Sequence, residues 1–329
     1  MNSLICITTC NRINELKRII IPYLQFVEKN DEFNFLLAVD GNNVEYIEFC
    51  TKYNIPLLYS DKREGVGVSK NRVFLTFPNY DYYFFIEDDV ELINESVFQL
   101  HIDAFQETGI HHFSLFPSSG YPQKFVHSKT KYRNYDIISG MIGSAQFNFF
   151  TKKSLEISGG WHIHFAKYRR YGHHEHSYRI MNNGLIPAPI NFISDVLNNS
   201  FIWHFPKAVS ESINELIPEK YYLTKIEQAL IDEKLTYFEP MSNAKIFIID
   251  NDLKYSKLVI DNVGRYSLIN KSARRKAISS YNFHIGINTK KGLTKILIII
   301  KAIVQYWKNP EIRHYIKARL NLLDENKHL

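Results

Sequence analysis

The sequence predicts an α/β protein: a Rossmann-like, mostly parallel central sheet flanked by helices, followed by a basic, partly helical C-terminal extension. Three observations point there. Strand-length apolar runs alternate with helix-spaced segments through the first third of the chain. The runs are continuous instead of alternating, as strands buried on both faces require. Charge also divides along the chain: Leu253 to Leu329 hold 16 Lys or Arg against 4 Asp or Glu (+12), and Met1 to Asp252 hold 24 against 30 (−6).

Each element has its own signal. "LICITTC" (Leu4 to Cys10) is a short apolar run ending in polar residues, and Leu16, Ile19, Ile20, Tyr23 and Leu24 then recur at helical spacing. "FNFLLAVDG" (Phe33 to Gly41) repeats the theme, with a helix carried by Tyr46, Ile47, Cys50 and Tyr53. "IPLLYS" is a third strand, "GVSKNRVFL" a third helix and "DYYFFIEDD" a fourth strand. Beyond Glu107, Ile137 to Thr151 reads as extended segments with glycine turns and "SGGWHIHF" as a loop. A helix over Glu175 to Asn182 stops at Gly184, "LIPAPINFISDV" supplies a strand, and "SFIWHF" delivers His204. The expected division is a domain over 1–240, in halves of about 1–110 and 111–240, and a basic region over 241–329.

Bulk composition narrows the function. A chain of 329 residues with 45% hydrophobic and 14% aromatic content can bury a large core. Three cysteines without disulfide spacing suit a reducing compartment, and "MNSLICITTC" has no basic leader, so the expectation is cytoplasmic. An acidic body with a basic tail calls for an anionic partner of the tail, lipid headgroups or nucleic acid, and no nucleic-acid module is recognisable, so an anionic membrane surface is the expected partner. Lys290 to Pro310, read as a helix, puts Thr294, Lys301, Gln305 and Lys308 on one side, and its apolar part is short of the ~20 residues a spanning helix needs. Such a helix either lies on a membrane or docks on the protein's own core.

Two clusters carry chemistry. "YFFIEDDVEL" drives a buried strand into Glu87, Asp88 and Asp89, whose mutual repulsion calls for a cation. Hard, oxygen-seeking Mg²⁺ or Mn²⁺, shared with phosphates, is the natural candidate at a strand's carboxyl end. His162, His164, His173, His174 and His176 surround Glu175, but "HHEH" lacks the i, i+4 spacing of a helical zinc pair.

These residues resemble the GT-A glycosyltransferases, in particular the bacterial glycosyltransferase family 2, over about Ser3 to Phe205. "ICITTCNR" is similar to the family's nucleotide loop, "LAVDG" to its base-recognising strand, "EGVGVSKNR" to its donor-side helix and "FFIEDDV" to its DxD-type motif. The resemblance implies that Thr8 and Arg12 lie near the nucleotide, Asp40 at a uracil-like base and Asn71 near the donor. Asp89 would hold the metal, with Glu87 or Asp88 near the ribose. "GGWHIHFAKYRRYGHHEHSYRI" resembles the acceptor loop and its base-bearing helix, which implies Glu175 as catalytic base. His174 stands where the family carries an acid, and it and Trp161 are the expected acceptor contacts, Trp161 by stacking on a sugar or else by packing in the core. His204 falls where a late metal ligand is found, or is a structural histidine. The expected activity is inverting transfer from a UDP-sugar, with Mn²⁺ or Mg²⁺, to a glycan or lipid-linked acceptor of bacterial surface polysaccharide or lipooligosaccharide, on the inner face of the membrane. A nucleotidyltransferase and a non-catalytic nucleotide-sugar-binding protein are the competing classes.

Overall fold

The computed structural model describes residues 2–41, 43–115, 126–132, 135–140, 146–163, 165, 172–194, 200–204, 246–249 and 255–258, with single positions at 293, 297 and 300. The opening alternation is present: β1 (Ser3–Thr9), α1 (Ile13–Glu28), β2 (Phe33–Val39), α2 (Val44–Tyr53), β3 (Leu57–Ser60), α3 (Val66–Thr76) and β4 (Tyr82–Glu87). Every residue of β1 is buried, and so is β4 up to half-buried Glu87, because both faces of these strands are covered. The helix α1 turns Ile13, Leu16, Ile19, Ile20, Tyr23 and Phe26 inward, one face at 3.6-residue spacing.

The chain continues through β5 (Val90–Leu92), α4 (Ser96–Thr108), β6 (His112–Leu115), β7 (Val126–Tyr132), β8 (Tyr135–Gly140), β9 (Phe147–Thr151) and α5 (Lys152–Ser158). It then forms α6 (Gly172–Asn182), β10 (Ile190–Ile193), β11 (Phe201–Trp203), β12 (Ile246–Ile249) and β13 (Tyr255–Leu258). The helix expected from Glu175 thus begins three residues earlier, at Gly172.

The main sheet has the order β13-β12-β3-β2-β1-β4-β9-β6. Parallel pairing is confined to β3-β2-β1-β4, and the strands outside it pair antiparallel. From β1 the chain adds strands on one side, then crosses to place β4 on the other. That reversal opens a crevice at the carboxyl ends of β1 and β4, where α/β sheets bind ligands. Register aligns Thr8 with Glu87 and Thr9 with Val39, one residue before Asp40.

Antiparallel pairing of β12 with β3 adds residues beyond 240 to this sheet, although the sequence assigns that stretch to the C-terminal region. β4 is held from both faces: Phe84 meets Phe98 at 5.0 Å and Phe149 at 5.1 Å, and Phe85 meets Trp161 at 5.2 Å. A short β11-β5 ladder returns the chain to the acidic cluster, where the His204 N–H donates to the Asp89 carbonyl at 2.7 Å. The helix expected over Lys290 to Pro310 lies outside the described residues except for Leu293, Leu297 and Ile300, which are helical and exposed. No helix among the described residues is long and apolar enough to cross a membrane.

Candidate functional site

The carboxyl end of β4 delivers Glu87, Asp88 and Asp89 to the crevice, and the loop after β1 delivers their counter-charge. Asn11, in the left-handed region at φ 55°, turns the chain so that Arg12 precedes α1. The Arg12 Nη1 lies 2.8 Å from Asp88 Oδ1, and its Nη2 lies 3.7 Å from Asp89 Oδ2. On its other oxygen Asp88 accepts from the Thr9 hydroxyl at 2.5 Å. A hydroxyl carries one proton, so Thr9 accepts in turn from the Tyr46 O–H at 2.8 Å. The Tyr46 oxygen accepts the backbone N–H of Arg12 at 2.8 Å, which closes the relay.

Burial dominates the electrostatics here. It pushes the Asp88 carboxyl up to about 7 against the pull of Arg12 and Thr9, and it raises Glu87 and Asp89 as well. One atom is left over: Asp89 Oδ1 is buried and has no hydrogen-bond partner. A divalent cation fits that orphaned oxygen and the carboxylates beside it, since Mg²⁺ and Mn²⁺ take oxygen ligands. Among the described residues no three His, Cys, Asp or Glu side chains are arranged as a cage for a metal ion, so the fit rests on this acidic end alone.

His204 reaches the cluster through the backbone, but its ring Nε2 lies 2.6 Å from Glu91 Oε2 instead of facing Asp89. Tyr23, on α1, donates to the Val90 carbonyl at 2.8 Å and fixes the start of β5 beneath it. Thr8 is buried, with its hydroxyl donating to the Ile86 carbonyl.

Asp40 ends β2 and works across the crevice. Its two oxygens accept the backbone N–H groups of Glu64 and Gly65 at 2.8 and 2.7 Å. These are donors at the start of α3, whose own N-cap is Gly65 at φ 103° and offers no side chain. Arg72 reinforces the turn by pairing with Glu64 and approaching Asp40. The residue expected at the base therefore holds a turn in this state, with both oxygens engaged.

α3 then reaches the loop at Trp161. Asn71, expected near the donor, bonds both backbone groups of Trp161: its amide donates to the carbonyl at 2.8 Å, and its oxygen accepts the N–H at 2.7 Å. The contact is so close that a Cβ on Gly160 would fall 2.0 Å from Asn71 Oδ1. Trp161 itself is 1% exposed and packs against Phe85, Phe150 and His176. Of the two readings offered for Trp161, this packing is that of a core residue. Lys70 is fully buried, with Nζ 3.4 Å from His173 Nε2 and 5.5 Å from the Trp161 ring centre, and burial pulls its pKa down to about 8.

Glu175 departs furthest from expectation. Both its oxygens accept from Arg179, at 2.7 Å from Nε and 2.6 Å from Nη2, and the Arg179 Nη1 donates to the Ser158 carbonyl at 2.6 Å. The carboxylate is buried and held at both oxygens. His174 is half-buried, its ring 4.5 Å from that of Tyr178, and burial lowers its pKa to about 4. His164 lies outside the described residues.

The sequence brings Arg12, Asp88 and Asp89 to one place but gives no sign of Thr9 and Tyr46. The hydroxyl of Tyr46 gave no signal, because the residue recurs at helical spacing with other apolar positions. Thr9 was within the quoted loop, one residue from the threonine singled out.

No protein-family model and no curated protein sequence matches the chain. Solved structures do. TarS 1–349 from S. aureus, in complex with UDP-GlcNAc, is 12% identical, with 99% of this chain and 92% of that one covered at a TM-score of 0.50. The mannosyltransferase PcManGT from Pyrobaculum calidifontis, in complex with GDP-Man and Mn²⁺, is 10% identical over 98% of this chain and 87% of that one, at a TM-score of 0.48. The mixed α/β fold, with a parallel core and helices on its faces, is of the GT-A type.

Proposed function

We propose that this protein is an inverting glycosyltransferase that uses Mn²⁺ or Mg²⁺ and a nucleotide-diphosphate sugar. The observation that carries the reading is the unpartnered, buried Asp89 Oδ1 beside Asp88, at the carboxyl end of the strand next to the sheet's switch point. A bound cation would neutralise charge on the departing diphosphate. Asp88 and Asp89 would hold it, and Thr8, Arg12 and Glu87 line the nucleotide side. Asp40 shapes that pocket through the Glu64–Gly65 turn. UDP-sugars are the favoured donors, since TarS, whose fold the chain shares, was solved with UDP-GlcNAc.

On the acceptor side, Glu175 can take a hydroxyl's proton only after Arg179 releases it, and His174 is the half-buried neighbour on the same turn. The proposed acceptor is a glycan or lipid-linked saccharide of bacterial surface polysaccharide or lipooligosaccharide, met at the inner, anionic membrane surface. Support for the membrane comes from the +12 charge of Leu253 to Leu329 and from exposed Leu293, Leu297 and Ile300, whose i, i+4, i+7 spacing puts them on one helical face. The test is incubation of the full chain with a panel of UDP-sugars and Mn²⁺, followed by assay for UDP release and thermal stabilisation. A cation-dependent response to one sugar is expected, and silence across the panel would sink the proposal.

A further inference from the structure

A cluster of three carboxylates inside a crevice needs compensation before any cation arrives. The chain provides it from the far side of the switch point: Arg12 lies against both Asp88 and Asp89, at the N-terminal end of α1 where the helix dipole adds positive potential. The pairing is incomplete on both sides. Only Nη1 is within ordinary hydrogen-bond distance of a carboxylate, at 2.8 Å, while Arg12 Nε and Nη2 are buried with no hydrogen-bond partner, as is Asp89 Oδ1. The guanidinium is a fork of five donors, so this is a site that Arg12 occupies without satisfying.

We propose that Arg12 is the resting counter-ion of Asp88 and Asp89, that a divalent cation displaces it, and that its freed guanidinium then takes the diphosphate that accompanies the cation. This rests on the cation reading given above. A metal drawing oxygens at about 2.1 Å from these carboxylates would sit next to a guanidinium of the same sign, and the two repel at such range. Metal and Arg12 therefore compete for the same oxygens, and the apparent metal affinity is reduced by the fraction of molecules in which Arg12 is paired. The Arg12 backbone is held separately by Tyr46, so the side chain can leave while the loop stays in place.

The inference has a signature of opposite signs. Mn²⁺ alone, titrated into the full chain by calorimetry and by electron paramagnetic resonance of the free ion, should bind Arg12→Met about tenfold more tightly than the parent, because one charge-assisted hydrogen bond no longer has to be given up. UDP titrated at saturating Mn²⁺ should bind the same variant about tenfold more weakly, since a guanidinium partner of the diphosphate is gone. Arg12→Lys keeps the charge but loses the fork, and its Mn²⁺ affinity should fall between the two; it carries the test if Arg12→Met does not fold. Mn²⁺ affinity that is equal or weaker in the variants overturns the inference and leaves the cation site standing. Absence of Mn²⁺ binding to the parent and the variants alike removes the cation site and this inference with it.

Discussion

Two arginine–carboxylate pairs, one at the carboxyl end of β4 and one within α6, are built differently. Arg179 and Glu175 are four residues apart on α6, with side chains 2% and 4% exposed, two bonds between them and a third from Arg179 to the Ser158 carbonyl. Beside the acidic end of β4, Arg12 is 26% exposed and makes one short contact, to Asp88, while its own Nε and Nη2 and the Oδ1 of Asp89 have no hydrogen-bond partner. The charges are alike, but the first pair is closed and ties α6 to the end of α5, whereas the second is open. Unsatisfied buried polar atoms are costly, so the two pairs differ in how much stability each contributes.

The largest expected effects separate the pairs directly. Arg179→Met leaves Glu175 buried and unpaired, and should lower stability by about 3–5 kcal/mol in thermal or urea denaturation. Asp89→Asn removes a carboxylate whose charge burial already opposes, so its melting point should hold or rise while the response to Mn²⁺ disappears. If Asp89→Asn melts as early as Arg179→Met, the Arg12 pair is a structural tie as well, and the contrast fails.

This difference also marks what the sequence could disclose. The β1 and β4 strands and the acidic end were legible because continuous apolar runs ending in polar residues need no partner to be recognised. The pairing of Arg12 with Asp88 was not, because it depends on a register that sets Thr8 beside Glu87 across 79 positions of chain. Glu175 and Arg179 show the reverse case: an i, i+4 pair is visible in any helix, yet position within a motif gave Glu175 the part of a base. Trp161 was readable either as a sugar platform or as core, and only the packing of Phe85 and Phe150 against it decides.

A smaller effect tests the joint between α3 and the loop at Trp161. Gly160→Ala places a methyl 2.0 Å from Asn71 Oδ1, and should cost about 1–3 kcal/mol as the loop shifts. Asn71→Ala makes room, but leaves the Trp161 N–H and carbonyl unpaired at a similar cost of about 1–3 kcal/mol. The double variant should therefore be more stable than the sum of the two losses predicts, by at least about 0.5 kcal/mol in a mutant cycle. Additive losses would show that Asn71 does not carry the acceptor loop.

The remaining effect is one of pH and comes from Lys70, on α3 between the two pairs. Lys70 feels Glu87 and lies 3.4 Å from His173, in a slot where burial lowers its pKa from 10.5 to about 8. Below about 8 the lysine is protonated in folded and unfolded chains alike, and the cost of burying the charge is present in full. Between about 8 and 10.5 the folded protein has shed a proton that the unfolded chain still holds, so stability rises with pH across that window. Lys70→Met removes this rise. The melting point of the parent minus that of the variant should climb by a few degrees between those limits and level off above them. A flat difference would mean that Lys70 keeps its proton, held by Glu87.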